Sequence, residues 1–249
     1  MNWAQVVERV TPYIMRIETP AGYGTGFLCL YNEDKSWCGI ATAMHVVDYA
    51  DDWQQPIRIR QTQTGKLAPL MPTDRIIFKD WKTDSAVMIF EKHDLSLPET
   101  LIPLYPIGNP ISIGAEVCWL GFPQIQSYTL CFFSGNISAW QEFRKAYLID
   151  GVAINGVSGG PVVYCTDADA IQVVGIISAY SANRASGEAL PGLSIAQDVS
   201  HFHDVIGQIR SVEEAQHKKQ EFEKSRQSSG GENPPSLSPS PSPSASPEG

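Results

Sequence analysis

The stretch NGVSGGPVVY, residues 155–164, decides how this sequence is interpreted. It places Ser158 in a glycine-rich loop that leads directly into a β-branched apolar run. Glycine on both sides of the serine allows the positive-φ turn that such a loop needs. The same glycines would serve a purely structural turn. This stretch therefore leaves a catalytic and a structural interpretation open until partner residues are found.

Two upstream segments supply candidate partners. ATAMHVVD (residues 41–48) places His45 at the end of an apolar strand, and WKTDSAVMIF (81–90) places Asp84 at the start of another. A serine hydroxyl becomes a good nucleophile when an imidazole takes its proton, and a carboxylate must hold that imidazole in one tautomer. Alone, His45 is an ordinary strand-end residue and Asp84 an ordinary turn former. The order His, Asp, Ser along a β-rich chain predicts that the three form a catalytic triad.

The residues after Ser158 argue against an α/β-hydrolase. That class places the serine first and the histidine last, and a helix follows the serine directly. Here Pro161 and the pair Val162-Val163 oppose a helix at that point.

The glycines also predict an oxyanion hole. Acyl transfer builds negative charge on the substrate carbonyl oxygen, and backbone N–H groups must converge on it. A bulky side chain at Gly156 would hinder the turn that directs its own N–H inward. We therefore assign the hole to the N–H groups of Gly156 and Ser158.

Composition excludes several other classes of function. The chain has 249 residues, of which 43% are hydrophobic and 18% charged, and its net charge is −9. An acidic balance argues against nucleic acid or a membrane surface as a partner, because both require a basic face. The charge balance says little about peptide substrates; the predicted triad is what leads us to expect a protein or peptide substrate. No apolar stretch approaches the length that spans a bilayer, and Glu8 and Arg9 interrupt the N-terminal apolar stretch, so no signal peptide is expected.

The cysteines predict neither a metal site nor a disulfide framework. Their number is odd, their spacing is irregular, and no CxxC pair occurs. They are Cys29, Cys38, Cys118, Cys131 and Cys165. We expect no metal, no cofactor and a reducing, cytoplasmic location.

Periodicity predicts an all-β domain with a helix at each end. The first helix spans Trp3–Val10 with Asn2 as its N-cap, and an apolar stripe from Val199 to Val212 has helical spacing. Short β-type runs lie between them. They are YIMRIE, GTGFLCLY, CGIATAMHVV, PIRIRQTQ, SAVMIF, EVCWLGF, SYTLCFFSG, KAYLID, PVVYC, IQVVGIISAY and GLSIA. The predicted domain covers residues 1–225, and residues 226–249 form a Ser/Pro-rich tail expected to be disordered.

Seven motifs, taken in order, resemble the trypsin-like serine protease superfamily, and most closely its HtrA/Deg-like branch. The motifs are GTGF (24–27), ATAMHVV (41–47), DSAVMIF (84–90), ISIGAEVCWLGFP (111–123), FFSGNISA (132–139), NGVSGGPVV (155–163) and VVGIIS (173–178). The resemblance implies two six-stranded antiparallel β-barrels with the triad in the cleft between them. It also implies a serine endopeptidase.

The sequence departs from that branch in two places. A PDZ domain usually follows the barrels there, whereas this chain offers a helix and the Ser/Pro tail, for which no partner can be named. Val157 precedes the nucleophile, where the branch typically has Asn.

The resemblance also implies a substrate pocket. It places Val152 at the pocket floor, Tyr180 at its mouth, and Ser178 and Gly192 in its walls. An apolar floor cannot compensate the desolvation of a cationic side chain. We expect cleavage after small to medium aliphatic residues.

Two alternatives remain open at this level. One is a binding or scaffold protein on a protease fold, although none of the three triad residues is lost. The other is a dormant protease that a partner activates. Reaction with a fluorophosphonate distinguishes them, because only a serine with a working base reacts.

Overall fold

The computed structural model describes residues 1–166, 168, 170–182 and 189–229. For residues 179–182, 189–191 and 226–229 it describes the backbone but not the side chains. The chain divides into two compact units, residues 1–210 and 211–249. The first contains the sheets and the predicted site. The second, within the described residues, is helical to Ser229, and the predicted tail lies almost entirely outside the description.

Seven antiparallel strands form the first sheet, in the order β5-β4-β1-β2-β3-β7-β6. They are β1 (Ile14–Thr19), β2 (Gly22–Tyr31), β3 (Trp37–Ala43), β4 (Ile57–Gln61), β5 (Leu67–Leu70), β6 (Arg75–Asp80) and β7 (Ser85–Glu91). One face of the sheet encloses an apolar core around Met15, Ile17 and Ile59. Strands β5 and β6 were not predicted. The sheet has seven strands instead of the predicted six, and it forms a half-barrel rather than a closed barrel. Pro69 suits β5 to the sheet edge, since proline lacks the N–H for a second ladder.

The second sheet is a closed six-stranded barrel, as predicted, in the order β10-β13-β12-β11-β8-β9. Its strands are β8 (Glu116–Gly121), β9 (Cys131–Gln141), β10 (Ala146–Asp150), β11 (Pro161–Cys165), β12 (Ile171–Ala182) and β13 (Ala189–Asp198). Trp119, Ile149 and Val162 are fully buried inside it. Val157, beside the predicted nucleophile, belongs to this core and is also fully buried. The all-β class is thus confirmed.

A third apolar core joins the two sheets. It combines Phe27 of β2 with Leu120 of β8, and both terminal helices cover it. These are α1 (Trp3–Val10), whose predicted N-cap Asn2 is confirmed, and the first turns of the C-terminal helix α3 (Ser200–Ser229), which contribute Phe202. Because this core joins the two sheets, it holds them in one relative position.

The prediction that His45 ends a strand is wrong. Strand β3 stops at Ala43, and His45 is the second residue of a helix, α2 (Met44–Asp52). Ala43 provides no side-chain cap for this helix. Asp84 does so instead: its carbonyl accepts the N–H of Met44 (2.8 Å) and its Oδ1 accepts the N–H of His45 (3.0 Å). A carboxylate at a helix N-terminus also interacts favourably with the helix dipole. No helix in the described residues combines the length and apolar character needed to cross a membrane.

Candidate active site

The predicted acid–base pair is formed. Asp84 Oδ2 lies 2.7 Å from His45 Nδ1, while the other carboxylate oxygen holds the backbone of the same histidine. An ionised carboxylate only accepts hydrogen bonds, so Nδ1 carries the proton and Nε2 of the neutral ring is left as a proton acceptor. The pair therefore has the tautomer that a general base requires.

One further contact and an unusual backbone conformation characterise Asp84. The hydroxyl of Ser178 donates to Asp84 Oδ2 at 2.6 Å, from strand β12 of the other barrel. Asp84 itself adopts a left-handed backbone conformation, with φ +47°. Asp tolerates that region better than most residues. Its carboxylate thus joins a histidine on helix α2 to a serine on strand β12 of the second barrel.

The hydrogen bond to Asp84 raises the pKa of His45 above its ordinary value of 6.5. Partial burial opposes this by disfavouring the imidazolium, and the negative charges of Asp84 and Asp48 add to the rise. A positive charge on this ring is therefore stabilised in the folded protein.

The loop around Ser158 is held by its backbone. The carbonyl of Ser158 accepts the N–H of Thr25 (2.8 Å), and the N–H of Gly159 donates to the carbonyl of Ile177 (2.6 Å). Gly156 and Gly159 have φ of +92° and +82°. A Cβ atom at position 156 would collide with the carbonyl oxygen of Phe122. Glycine is therefore required at 156 for both conformation and space.

The same backbone orients the N–H groups predicted to form the oxyanion hole. The Asn155 carbonyl accepts the N–H of Gln124 (2.7 Å), and the Val157 carbonyl accepts the N–H of Gly160 (2.8 Å). In a trans peptide the N–H points opposite to the carbonyl. The N–H groups of Gly156 and Ser158 therefore point away from these contacts, and within the described residues neither donates to a protein acceptor.

The three predicted triad residues share one cleft of about 300 Å³. Its lining consists of His45, Asp84, Ala153, Ile154, Asn155, Ser158, Ile177 and Ser178. No hydrogen bond joins Ser158 to His45 in the part of the chain that the structure describes. Such contacts are often loose without substrate and tighten in the Michaelis complex.

The structure gives a different outcome for each of the predicted pocket residues. Ser178 lines the cleft, but its hydroxyl is engaged by Asp84. The structure does not bring Val152 into the cleft: Val152 is 51% exposed and is not among the lining residues, whereas Ala153 and Ile154 are. Gly192 has φ +85°, and its carbonyl accepts the N–H of Gly151 (2.7 Å). The side chain of Tyr180 lies outside the described residues, so its role at the pocket mouth stays a prediction.

Sequence reasoning missed Thr25. This fully buried side chain donates from Oγ1 to the Gly156 carbonyl (2.9 Å) and accepts the N–H of Phe122 (3.1 Å). It thereby connects the first sheet to the nucleophile loop. The only available signal was a polar residue in the apolar strand GTGFLCLY.

Comparison with known proteins identifies the family. The family model of the trypsin-like peptidase domain matches residues 24–176, which is more than half of the chain. The protein therefore belongs to the trypsin-like peptidase family. No curated protein matches the sequence.

Solved structures share the fold. The serine endoprotease from Yersinia pestis is 21% identical with a TM-score of 0.60, over 84% of this chain and 66% of that chain, slightly under two thirds of its length. An inactive form of the Rv3671c protease is 18% identical with a TM-score of 0.57, over 82% and 92%. An inactive mutant of Rv3671c from M. tuberculosis is 18% identical with a TM-score of 0.55, over 83% of this chain and 90% of that chain.

Proposed function

We propose that this protein is a serine endopeptidase that cleaves peptide bonds through an acyl-enzyme. The observation that carries the proposal is the 2.7 Å contact between Asp84 and His45 Nδ1 in the cleft that also contains Ser158. It leaves Nε2 of His45 as the proton acceptor. A histidine so oriented, next to a serine in a glycine-rich loop, is the arrangement that acyl transfer requires.

In this mechanism His45 takes the proton of Ser158 as the hydroxyl attacks the substrate carbonyl carbon. The N–H groups of Gly156 and Ser158 stabilise the negative oxygen of the tetrahedral intermediate. His45 then gives the proton to the leaving amine, and Asp84 stabilises the transient imidazolium. Water attacks the resulting ester in the same way and releases Ser158.

For the residue on the acyl side of the cut we propose a small or medium aliphatic side chain. Ala153, Ile154 and Ile177 give the cleft an apolar lining beside Ser158. Burying a substrate cation against such a lining has a desolvation cost that nothing there repays. A proteome-derived peptide library should give cleavage after Val, Ala or Leu. Dominant cleavage after Lys, Arg or Glu would contradict this preference and leave the triad proposal intact.

The decisive experiment on activity is labelling with a fluorophosphonate. The wild-type protein should be labelled, and Ser158→Ala should abolish the labelling. Ser138→Ala is the matched control, because Ser138 is an exposed serine on β9. If the wild-type protein is labelled neither alone nor in the presence of cell extract, a scaffold protein is favoured. Labelling that appears only with extract would favour the dormant protease.

We also propose a cytoplasmic location. Cys29, Cys38 and Cys118 are thiols buried among apolar residues. Thiols of this kind are typical of a reducing compartment. Fractionation of cells that express the protein at natural levels would test this.

A further inference from the structure

Beside the cleft, one face of the first sheet changes from apolar to charged. On β1, Ile14 packs in the core between the sheets, whereas Arg16 and Glu18, two and four residues further along the same face, are polar. The register places Arg16 between Thr25 of β2 and Arg60 of β4. It places Glu18 between Tyr23 and Arg58. A charged row therefore runs from the nucleophile loop outward across three strands.

We call Arg16, Glu18, Arg58 and Arg60 the arginine cluster. Glu18 is buried (6% exposed) and pairs with all three guanidinium groups. Its Oε1 accepts a hydrogen bond from Arg60 Nε at 3.0 Å, and its Oε2 forms an ion pair with Arg58 Nη2 at 3.1 Å. One carboxylate thus serves three cations. The cluster carries two positive charges in excess, in a chain whose net charge is −9.

Two tyrosines pack on Arg16, and one of them, Tyr23, joins this cluster to the catalytic loop. The Arg16 guanidinium stacks 4.1 Å from the ring centre of Tyr23 and 4.5 Å from that of Tyr128. A Cβ atom at Gly156 would lie 2.8 Å from Tyr23 Cε2, so the Tyr23 ring packs directly on the predicted oxyanion loop. The cluster is therefore adjacent to the reacting centre, although none of its residues lines the cleft described above.

Several hydrogen-bond donors in the cluster are unused. Arg16 is 5% exposed, and its Nε has no acceptor among the described residues; the buried Tyr23 hydroxyl also lacks a partner there. Buried polar groups usually have partners. The Arg58 side chain is 56% exposed, and among the described residues its guanidinium pairs with Glu18 alone, as an ion pair. Guanidinium groups with free donors and excess charge favour carboxylates.

The acyl-side residue is proposed to occupy the cleft, which none of the cluster residues lines. We therefore propose that the arginine cluster selects substrates with acidic side chains on the leaving-group side of the cleaved bond. This rests on the peptidase function proposed above. Neighbouring strands lie about 4.8 Å apart, and β1 separates Arg58 on β4 from Tyr23 on β2, so Arg58 is about 10 Å beyond Tyr23. An extended peptide advances about 3.3 Å per residue. The acidic side chains are therefore expected about three or four residues after the cut.

The first experiment compares two peptides that differ only at the third and fourth leaving-side residues, Glu-Glu against Gln-Gln. Wild-type kcat/KM should be about threefold to tenfold higher for the acidic peptide, as expected for one or two partly exposed ion pairs. Salt should reduce the ratio. Arg58→Gln should bring it toward one, and Arg58→Glu should favour a Lys-Lys peptide. Arg144→Gln, at an exposed arginine in the turn between β9 and β10, should leave the ratio unchanged.

The second experiment measures binding of the same peptides to Ser158→Ala by fluorescence anisotropy, which does not depend on catalysis. Tighter binding of the acidic peptide, weakened by Arg58→Gln and by salt, is the expected result. Equal affinities would overturn the inference, as would equal kcat/KM values for the two peptides. If no peptide is cleaved and no fluorophosphonate reacts, the proposed function fails, and the binding ratio still decides whether the cluster selects acidic chains.

Discussion

The two sides of the candidate active site are held in different ways. On the side of the first sheet, the charged side chain of Asp84 holds His45 of helix α2 by both its imidazole and its backbone N–H. On the second barrel, Ser158 lies in a loop held by backbone hydrogen bonds and positive-φ glycines. The acid–base side therefore depends on a carboxylate. The nucleophile side depends on the absence of side chains, and the two should respond differently to substitution.

The largest effect is expected from removing a reacting group on either side. Ser158→Ala or His45→Ala should lower kcat by about 10⁴-fold or more, because the nucleophile and its base act as a unit. Steady-state hydrolysis of a peptide cleaved by the wild-type protein measures this. The double variant should be no worse than either single one. Multiplicative losses would mean that the two residues act independently.

Next in size is the loss of charge at Asp84. Asp84→Asn should lower kcat by about 10⁴-fold through the wrong histidine tautomer. Thermal unfolding should still be cooperative, because an amide oxygen can accept the N–H of His45. Asp80→Asn is the matched control: Asp80 accepts the N–H of Lys82 and the hydroxyl of Thr83 in the preceding turn. Near-normal activity of Asp84→Asn combined with inactive Asp80→Asn would transfer the role to Asp80.

On the nucleophile side, Gly156→Ala should cost about 10²-fold to 10³-fold in kcat, as when an oxyanion-hole donor is lost. The methyl group meets the Phe122 carbonyl, and φ of +92° is strained for alanine. The loop should therefore rearrange. Unchanged affinity for a product peptide would separate this effect from unfolding. Full activity of Gly156→Ala would refute the assigned hole.

A smaller effect tests the contact between the two sides. Ser178→Ala removes a hydrogen bond to Asp84, and kcat should fall about tenfold. Without this donor the carboxylate attracts the imidazolium more strongly, so the pKa of His45 should rise further. The acid limb of the pH profile should then move to higher pH, while Ser178→Thr should restore it. A pH profile identical to wild type would reduce Ser178 to a packing role.

The pH profile of the wild-type protein is the mildest test. Because the bond to Asp84 raises the pKa of His45, activity should fall on acidification through a pKa above 6.5. Protonated His45 cannot act as a base, so the loss lies on the acid side. In Asp84→Asn the same limb should move to lower pH, since the stabilising charge is gone. A pKa below 6.5 on the acid limb of the wild-type profile would contradict the effect expected from the contact between Asp84 and His45.

Some elements could be predicted because their signals are local. Helix α1 has its cap in the sequence, and the glycines around Ser158 permit the positive-φ turn that its loop adopts. Helix α2 could not be predicted, because the group that caps it, Asp84, lies 39 residues further along the chain. Strand β5 was missed because Pro69 weakens the strand pattern of a short edge segment.

The sequence by itself determined the all-β class, the family and the three residues of the candidate triad, since each is encoded by residue type and order. Only the tertiary structure decided what surrounds them. In the structure the Ser178 hydroxyl donates to Asp84, and Val152 lies outside the cleft. Residues of β1 and β4 form the arginine cluster beside Tyr23. These relations depend on strand register and on the packing of one sheet against the other. Both bring together residues that lie far apart in the chain, and for such pairs the sequence carries no local signal.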